Sequence, residues 1–381
     1  MVNVVDSQAR TTVQPVATPQ NQAAFLDVPS HVYKGNPHWV PPLRSSEASL
    51  FDPENEFLSY GSFQAFVALK GNVPVGRVVA AVNRRLIEKE QRPVGVFGYF
   101  ECLDDLAIAA ALLEAASHWL KQQGITLVRG PIDLSTHNRC LFQIDQFDSS
   151  PMIMMPYNPP YYPAFMEQLG WHKAVEAYSY GLVRGQALPP QYERGYNIAV
   201  KSGVTFRQLA LEGDAFWQDV TQMYYLFNEM FANNWGATAR TLEEFKQEAK
   251  DLQTLVDPNI FWIAEYQGEM IGFFMALPDY NMVLKHLNGR LNLWGKLKFL
   301  WYRRQINQAR VLVICAKPEH RRRMVPLALI YLGFSNAEAS KRNYQFAELG
   351  YVYEDNKTSR SIVEATGAQI HKTYRIYEKA I

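Results

Sequence analysis

Val311-Leu312-Val313-Ile314-Cys315-Ala316 is an unbroken apolar run, and Lys317-Pro318-Glu319-His320-Arg321-Arg322-Arg323 follows it at once. The run is short and half β-branched, so it predicts a strand buried on both faces, reaching back to Ala309. Pro326 suits the first turn of a helix, where its missing N–H costs nothing, and a helix is expected over 326–332. Buried strand, basic loop and helix N-terminus, in that order, aim backbone N–H groups and positive charge at one place. That is the chemistry of an anion site.

Upstream, apolar runs at 261–266 and 270–277 flank Gln267-Gly268, which predicts a hairpin. Amphipathic spacing predicts helices over 214–231 and 241–255. Downstream, helices are expected over 340–349 and 357–365, and strands over 351–354 and 373–378. The first half repeats this grammar. Runs at 63–70 and 73–82 flank Gly71-Asn72, and another covers 94–101. Asp104 or Asp105 can cap a helix over 106–122 that Gly124 ends. A buried strand at 125–129, a helix over 161–169 and a strand over 171–183 complete it. Two halves with one element order imply duplication. The expected class is α/β, with two domains, each a mixed, mostly antiparallel sheet flanked by helices. The expected divisions are a disordered polar tail over 1–20, a domain over 21–185, a linker over 186–200 and a domain over 201–381.

The chain has 381 residues, enough for two such domains at roughly 100–200 residues each. A formal net charge of +1 points to no polyanionic partner. Three scattered cysteines, Cys102, Cys140 and Cys315, give neither metal-ligand spacing nor a disulfide framework, so a cytoplasmic protein without a metal is expected. The first twenty residues lack the apolar segment of a secretory signal, and no run approaches the ~18 apolar residues of a membrane span. The sequence contains no Ser/His/Asp elbow, Walker loop, HExxH motif or dinucleotide fingerprint.

The stretch 311–323 resembles the central strand and loop of the GNAT acyltransferase superfamily. Glu354-Asp355-Asn356, Gly367 and 372–378 resemble its C-terminal part, and Asn158-Pro159-Pro160-Tyr161-Tyr162 with Leu169-Gly170-Trp171 is a looser version. Through 94–101 and Gly130-Pro131 the chain also looks like tandem GNAT-like bacterial proteins, from about Phe25 to its end. The resemblance implies a CoA-dependent N-acyltransferase whose sheet splays beside the strand ending at Ala316. Acetyl-CoA or a longer acyl-CoA would be the co-substrate, held by Ile314, Ala316, His320, Arg321, Arg322, Arg323, Met324 and Asn356. Glu354 would take the amine's proton, and Tyr374 or Tyr377 would protonate the leaving thiolate. His137, Asn138, Asn158, Tyr161 and Tyr162 would bind the acceptor, a small-molecule or lipid-like amine. The loop departs from the family's Gln/Arg-x-x-Gly-x-Gly/Ala pattern, with Met324 and Pro326 where small residues belong. Two alternatives stay open: a degenerate, non-catalytic tandem pair acting as a scaffold, and an aminoacyl-tRNA-dependent transferase of the same fold.

Each of these residues has a plainer role. The arginine triplet is also a solvated turn, Asn356 also an N-cap, His137 also an exposed loop residue, and strand tyrosines usually pack. One segment stands apart. Residues 285–304 hold Lys285, Arg290, Lys296, Lys298, Arg303 and Arg304 without an acid, and Leu293, Trp294, Leu297, Leu300 and Trp301 recur at helical spacing. Such a helix lies on an anionic membrane, lids a lipophilic site, or packs on its own domain, and the sequence favours packing. Nucleic acid is not expected, because aromatic interleaving is poor.

Overall fold

The computed structural model describes residues 10–381, so the first nine residues of the expected tail lie outside the described residues. The chain forms two units. One holds the described residues up to Glu176, with Leu284–Lys296 and Thr373–Ile381; the other holds Ala177–Val283 and Leu297–Lys372.

In the first unit, β1 (Thr11–Pro15), β2 (Gly61–Lys70), β3 (Val73–Asn83) and β4 (Val94–Cys102) pair antiparallel in that order. β5 (Leu127–Gly130) joins β4 in parallel. Thr11–Pro15 was expected in the disordered tail; it pairs along β2 instead, Thr11 opposite Lys70. Helix α1 (Pro19–Val32) starts where Thr18 accepts from Asn21 N and Pro19 occupies the first turn. Short helices α2 (Arg44–Ala48), α3 (Phe57–Tyr60) and α4 (Arg84–Glu90) follow. α5 (Leu106–Gln122) begins at Asp105, as expected, and buries Ile108, Leu112, Ala116 and Leu120. Each such side chain contributes about 1.5–3 kcal/mol for the large residues and less for alanine. β6 (Phe142–Gln143) and α6 (Tyr161–Gln168) complete the unit's own elements. β7 (His172–Val183) then leaves it, and from Ala177 belongs to the second unit.

The second unit contains α7 (Gln191–Lys201), β8 (Thr205–Gln208), α8 (Gly213–Phe231), α9 (Leu242–Gln253), β9 (Phe261–Tyr266), β10 (Glu269–Pro278) and α10 (Asn281–Leu284). After α11 (Leu293–Tyr302) come β11 (Gln308–Ala316), α12 (Val325–Ala339), β12 (Phe346–Tyr353) and α13 (Lys357–Glu364). β13 (Gln369–Ala380) ends the chain and pairs in the first unit, Tyr377 opposite Gly130. The strand order β8-β9-β10-β11-β12-β7 thus repeats β1-β2-β3-β4-β5-β13, each run closed by a strand from the other half of the sequence.

Two further expectations change. Residues 191–200, expected in a linker, form all but the last residue of α7 and bury Tyr192 and Ala199. Residues 346–349, expected in a helix, begin β12, because β11 pairs on one side and β7 on the other. Pairing with distant strands overrides the local pattern there.

Candidate active site

In both units the parallel strand pair is joined only at its start. β4 and β5 pair from Val94–Leu127 to Val96–Arg129, and β11 and β12 from Gln308–Phe346 to Val311–Leu349. Beyond those points β4 runs on to Cys102, and β11 to Ala316, without the parallel neighbour. Each strand also carries one extra residue in this stretch relative to its antiparallel partner. Such a bulge bends a strand away from the sheet. The sheet therefore opens beside the strand ending at Ala316.

Alternation fixes which backbone groups face each split. Leu103 N donates to Val75 O at 3.0 Å, and Lys317 N donates to Ile271 O at 2.8 Å. Cys102 and Ala316, one residue earlier, therefore turn their own N–H and C=O the opposite way. In the first unit those groups are taken. Cys102 N donates to the Tyr162 hydroxyl at 2.7 Å, and Cys102 O accepts from Tyr161 at 2.8 Å. Ile132 N donates to Phe97 O at 2.7 Å, and Tyr99 N donates to Asp133 Oδ1 at 2.5 Å. The main chain lies so close that a Cβ on Gly98 would come within 2.3 Å of Ile132 O. In the second unit, among the described residues, the slot-facing groups of Ile314 and Ala316 bond to nothing.

The mouth of the second split is basic. Residues 318–323 make a 3-10 turn, and Met324 then takes a left-handed conformation, φ +56°, before α12. Arg321 and Arg322 are exposed. Arg323 sits 3.8 Å over the Tyr266 ring and donates to Ser202 O at 2.5 Å, while His320 packs on the same ring. Lys317 is paired with Glu269. No side chain caps α12, so its first-turn amides and positive dipole end are available to an anion, less the N–H that Pro326 lacks.

At the foot of the same split, Arg310 lies opposite Glu348, and both are buried. Arg310 Nε donates to Gly350 O at 3.0 Å. Glu348 Oε1 is buried and accepts no hydrogen bond among the described residues. A buried carboxylate oxygen left without a donor is costly, so it marks a candidate for proton chemistry. Sequence reading passed over it because Glu348 fell inside an expected helix.

The split of the first unit instead encloses charge around a small cavity lined by Glu101, Asp133 and Arg139. Arg77 pairs with Glu47 at 2.8 Å, and Arg139 pairs with Asp133 at 2.9 Å. Glu101 accepts from the Tyr162 hydroxyl at 2.8 Å. Burial pushes the Glu101 carboxyl up to about 7, against the pull of Arg77 and Arg139 and of the Tyr162 and Tyr33 hydroxyls. Sequence reading singled out 94–101 as a stretch but not this carboxylate.

No family model matches the chain. It is 30% identical to the bacterial ceramide synthase of Caulobacter vibrioides over 383 residues, which cover 98% of this chain and 99% of that protein. The chain belongs to the bacterial ceramide synthase family. It is also 29% identical to protein YghO of Escherichia coli, across 100% of this chain and 98% of YghO. Among solved structures, a tandem GNAT protein from the clavulanic acid biosynthesis pathway matches with a TM-score of 0.58 at 13% identity, covering 97% of this chain and 98% of the other. This ceramide synthase family member therefore has the tandem GNAT fold.

In this member of the ceramide synthase family the expected site residues divide. Ile314, Ala316, His320, Arg321, Arg322, Arg323 and Met324 all gather at the second split or its mouth. Asn356 caps α13, accepting from Ser359 N at 3.1 Å. Glu354 lies half-buried in the turn after β12. Tyr374 and Tyr377 are fully buried on β13 within the first unit. Three positions apart on a strand, they face opposite sides, and Tyr377 belongs to the apolar core. Asn158 clamps main chain, accepting from Gln143 N at 2.7 Å, while Tyr161 and Tyr162 fill the first split. Asn138 is exposed and donates to Asp133 O at 2.8 Å; His137 is half-buried beside it. Asn138, Asn158, Tyr161 and Tyr162 of the expected acceptor set thus bond within the first unit.

Proposed function

We propose that the chain is a CoA-dependent N-acyltransferase that joins an acyl chain to a lipid-like amine. The observation that carries this reading is the strand edge at Ile314 and Ala316, whose slot-facing amide and carbonyl groups have no partner among the described residues. Pantetheine contains two amides and can add to such an edge as an extra strand does. The uncapped N-terminus of α12, with Arg321 and Arg322 beside it, suits the pyrophosphate. An alkylamine is protonated at neutral pH, with a pKa of about 10, and must lose a proton to attack. Glu348, at the foot of the split, is assigned that proton in place of Glu354. The amine nitrogen then bonds to the thioester carbonyl carbon, the C–S bond breaks, and CoA leaves as a thiolate that is protonated. A ceramide is a long-chain amino alcohol acylated on nitrogen, so the Caulobacter vibrioides relative supports a lipid-like acceptor.

Thermal denaturation with acetyl-, octanoyl- and palmitoyl-CoA tests the donor. A bound acyl-CoA at 100 times its Kd stabilises the fold by about 2.7 kcal/mol. Ala316→Pro deletes one slot-facing N–H without touching a bond to β10, and is expected to weaken acyl-CoA binding roughly tenfold, about one hydrogen bond's worth. If no acyl-CoA of any length stabilises the protein, the transferase reading fails and the scaffold alternative takes its place.

A further inference from the structure

α11 presents its apolar side to water. At about 100° per residue, Leu293, Trp294, Leu297, Leu300 and Trp301 fall within a stripe of roughly 120°. All five are between 52 and 73% exposed. The opposite side is the packed one: Gly295 is buried, and the Phe299 ring stacks on Tyr280 with centroids 5.7 Å apart. The sequence favoured an inserted helix packed by its apolar stripe, and the structure reverses that orientation. Soluble proteins rarely leave a contiguous patch of this kind uncovered without a partner for it.

The charge around the stripe says what the partner is. Lys296 and Lys298 each lie roughly 40° beyond one edge of the stripe on the helical wheel. Lys285 and Arg290 precede the helix, Arg303 and Arg304 follow it, and residues 285–304 contain no Asp or Glu. The chain as a whole carries only +1, so this cationic character is local. Tryptophans on an apolar face with lysines along its borders match a bilayer's headgroup boundary, where indoles sit at the interface and lysines reach up to phosphates. A second copy of the chain fits poorly, because a two-fold contact would set the same cations against each other. With ten residues, α11 is about 15 Å long, half of what a span needs. Among the described residues no helix is long and apolar enough to cross a membrane.

We propose that α11 docks the protein on an anionic bilayer, lying in the plane of the surface with its apolar stripe among the acyl chains and its cations on the lipid phosphates. This inference stands on α11 alone and holds whether or not the protein transfers acyl groups. Flotation with vesicles of phosphatidylcholine containing 30% phosphatidylglycerol, against pure phosphatidylcholine, tests it with the full chain. The protein is expected to float with the anionic vesicles, with a blue shift in tryptophan fluorescence, and to be released by about 0.5 M salt. Trp294→Ser with Trp301→Ser is expected to lower partitioning at least tenfold. These side chains are exposed, so an unchanged thermal melt confirms the fold. Lys296→Gln with Arg303→Gln and Arg304→Gln is expected to weaken binding to anionic vesicles severalfold and to flatten the salt dependence. The proposal is overturned if the parent protein stays with the pellet, if the tryptophan variant floats as well as the parent, or if light scattering shows a dimer that the tryptophan variant dissolves.

Discussion

At Cys102 the first unit gives its spare backbone groups to Tyr161 and Tyr162; at Ala316 the second keeps them. The same contrast recurs at the helix that follows each strand. Asp105 caps α5, accepting from Ala107 N at 2.9 Å, whereas no side chain caps α12. It recurs again at the foot of each split. The buried Arg129 of the first unit donates to Glu378 at 2.9 Å and to Glu90 at 2.5 Å, whereas Glu348 of the second keeps a carboxylate oxygen without a donor among the described residues. One plan has been built twice, and in one copy the backbone groups that face the split are taken by side chains of the same unit. The unused valences of the other copy are what the proposed acyl-CoA donor and amine would use. Carboxylates at a helix N-terminus would also repel a pyrophosphate, so the first unit is doubly unsuited to it.

The largest effect is expected at Glu348. Glu348→Gln keeps the shape of the side chain and removes the base. The turnover number is expected to fall by roughly 10²- to 10⁴-fold, the usual worth of general base catalysis, with acyl-CoA binding within about twofold. A steady-state assay with a long-chain amine and palmitoyl-CoA, beside a binding titration, reads both quantities. Turnover at the parent's level would show that the spare oxygen is not the proton acceptor, and the contrast between the two feet would lose its functional meaning.

The filled split predicts a pH effect on stability instead. Burial raises Glu101 from the usual 4.5 to about 7 in the folded state. Between those values the folded protein holds a proton that the unfolded chain has released. The contribution is fully present below about pH 4.5 and is lost as pH rises through 7, a change of order 3 kcal/mol. Urea midpoints from pH 4.5 to 8 are expected to fall in the parent and to flatten in Glu101→Gln. A parallel slope in both proteins would mean that Glu101 is not the group responsible.

Much of this architecture is legible in the sequence because it is set locally. The turns Gly71-Asn72 and Gln267-Gly268, the cap at Asp105 and the apolar run into Ala316 each depend on neighbours in the chain. The exchange of β7 and β13 is not legible, since Val183 meets Phe346 and Tyr377 meets Gly130 across long stretches of sequence. For the same reason β12 reads as part of a helix, and Glu348 disappears into it. The segment Asn158 to Tyr162 draws attention correctly, but its polar atoms hold Gln143 and Cys102 in place. In α11 the period reveals a stripe, and only packing decides which side faces the protein.

The smallest effect is expected at Met324, where the two copies differ by backbone conformation. Its φ of +56° costs a side chain about 1 kcal/mol that glycine avoids, while glycine adds freedom to the unfolded chain worth nearly as much. Met324→Gly is therefore expected to shift stability by only about 0.5 kcal/mol, read as a small rise in urea midpoint. Its effect on binding is the more informative. Without the Cβ the main chain ahead of α12 can meet a phosphate more closely, and acyl-CoA affinity is expected to rise about two- to fivefold. A loss of affinity would mean that the methionine side chain itself contacts the donor, and that this copy holds acyl-CoA by apolar packing at the mouth as well as by its uncapped helix.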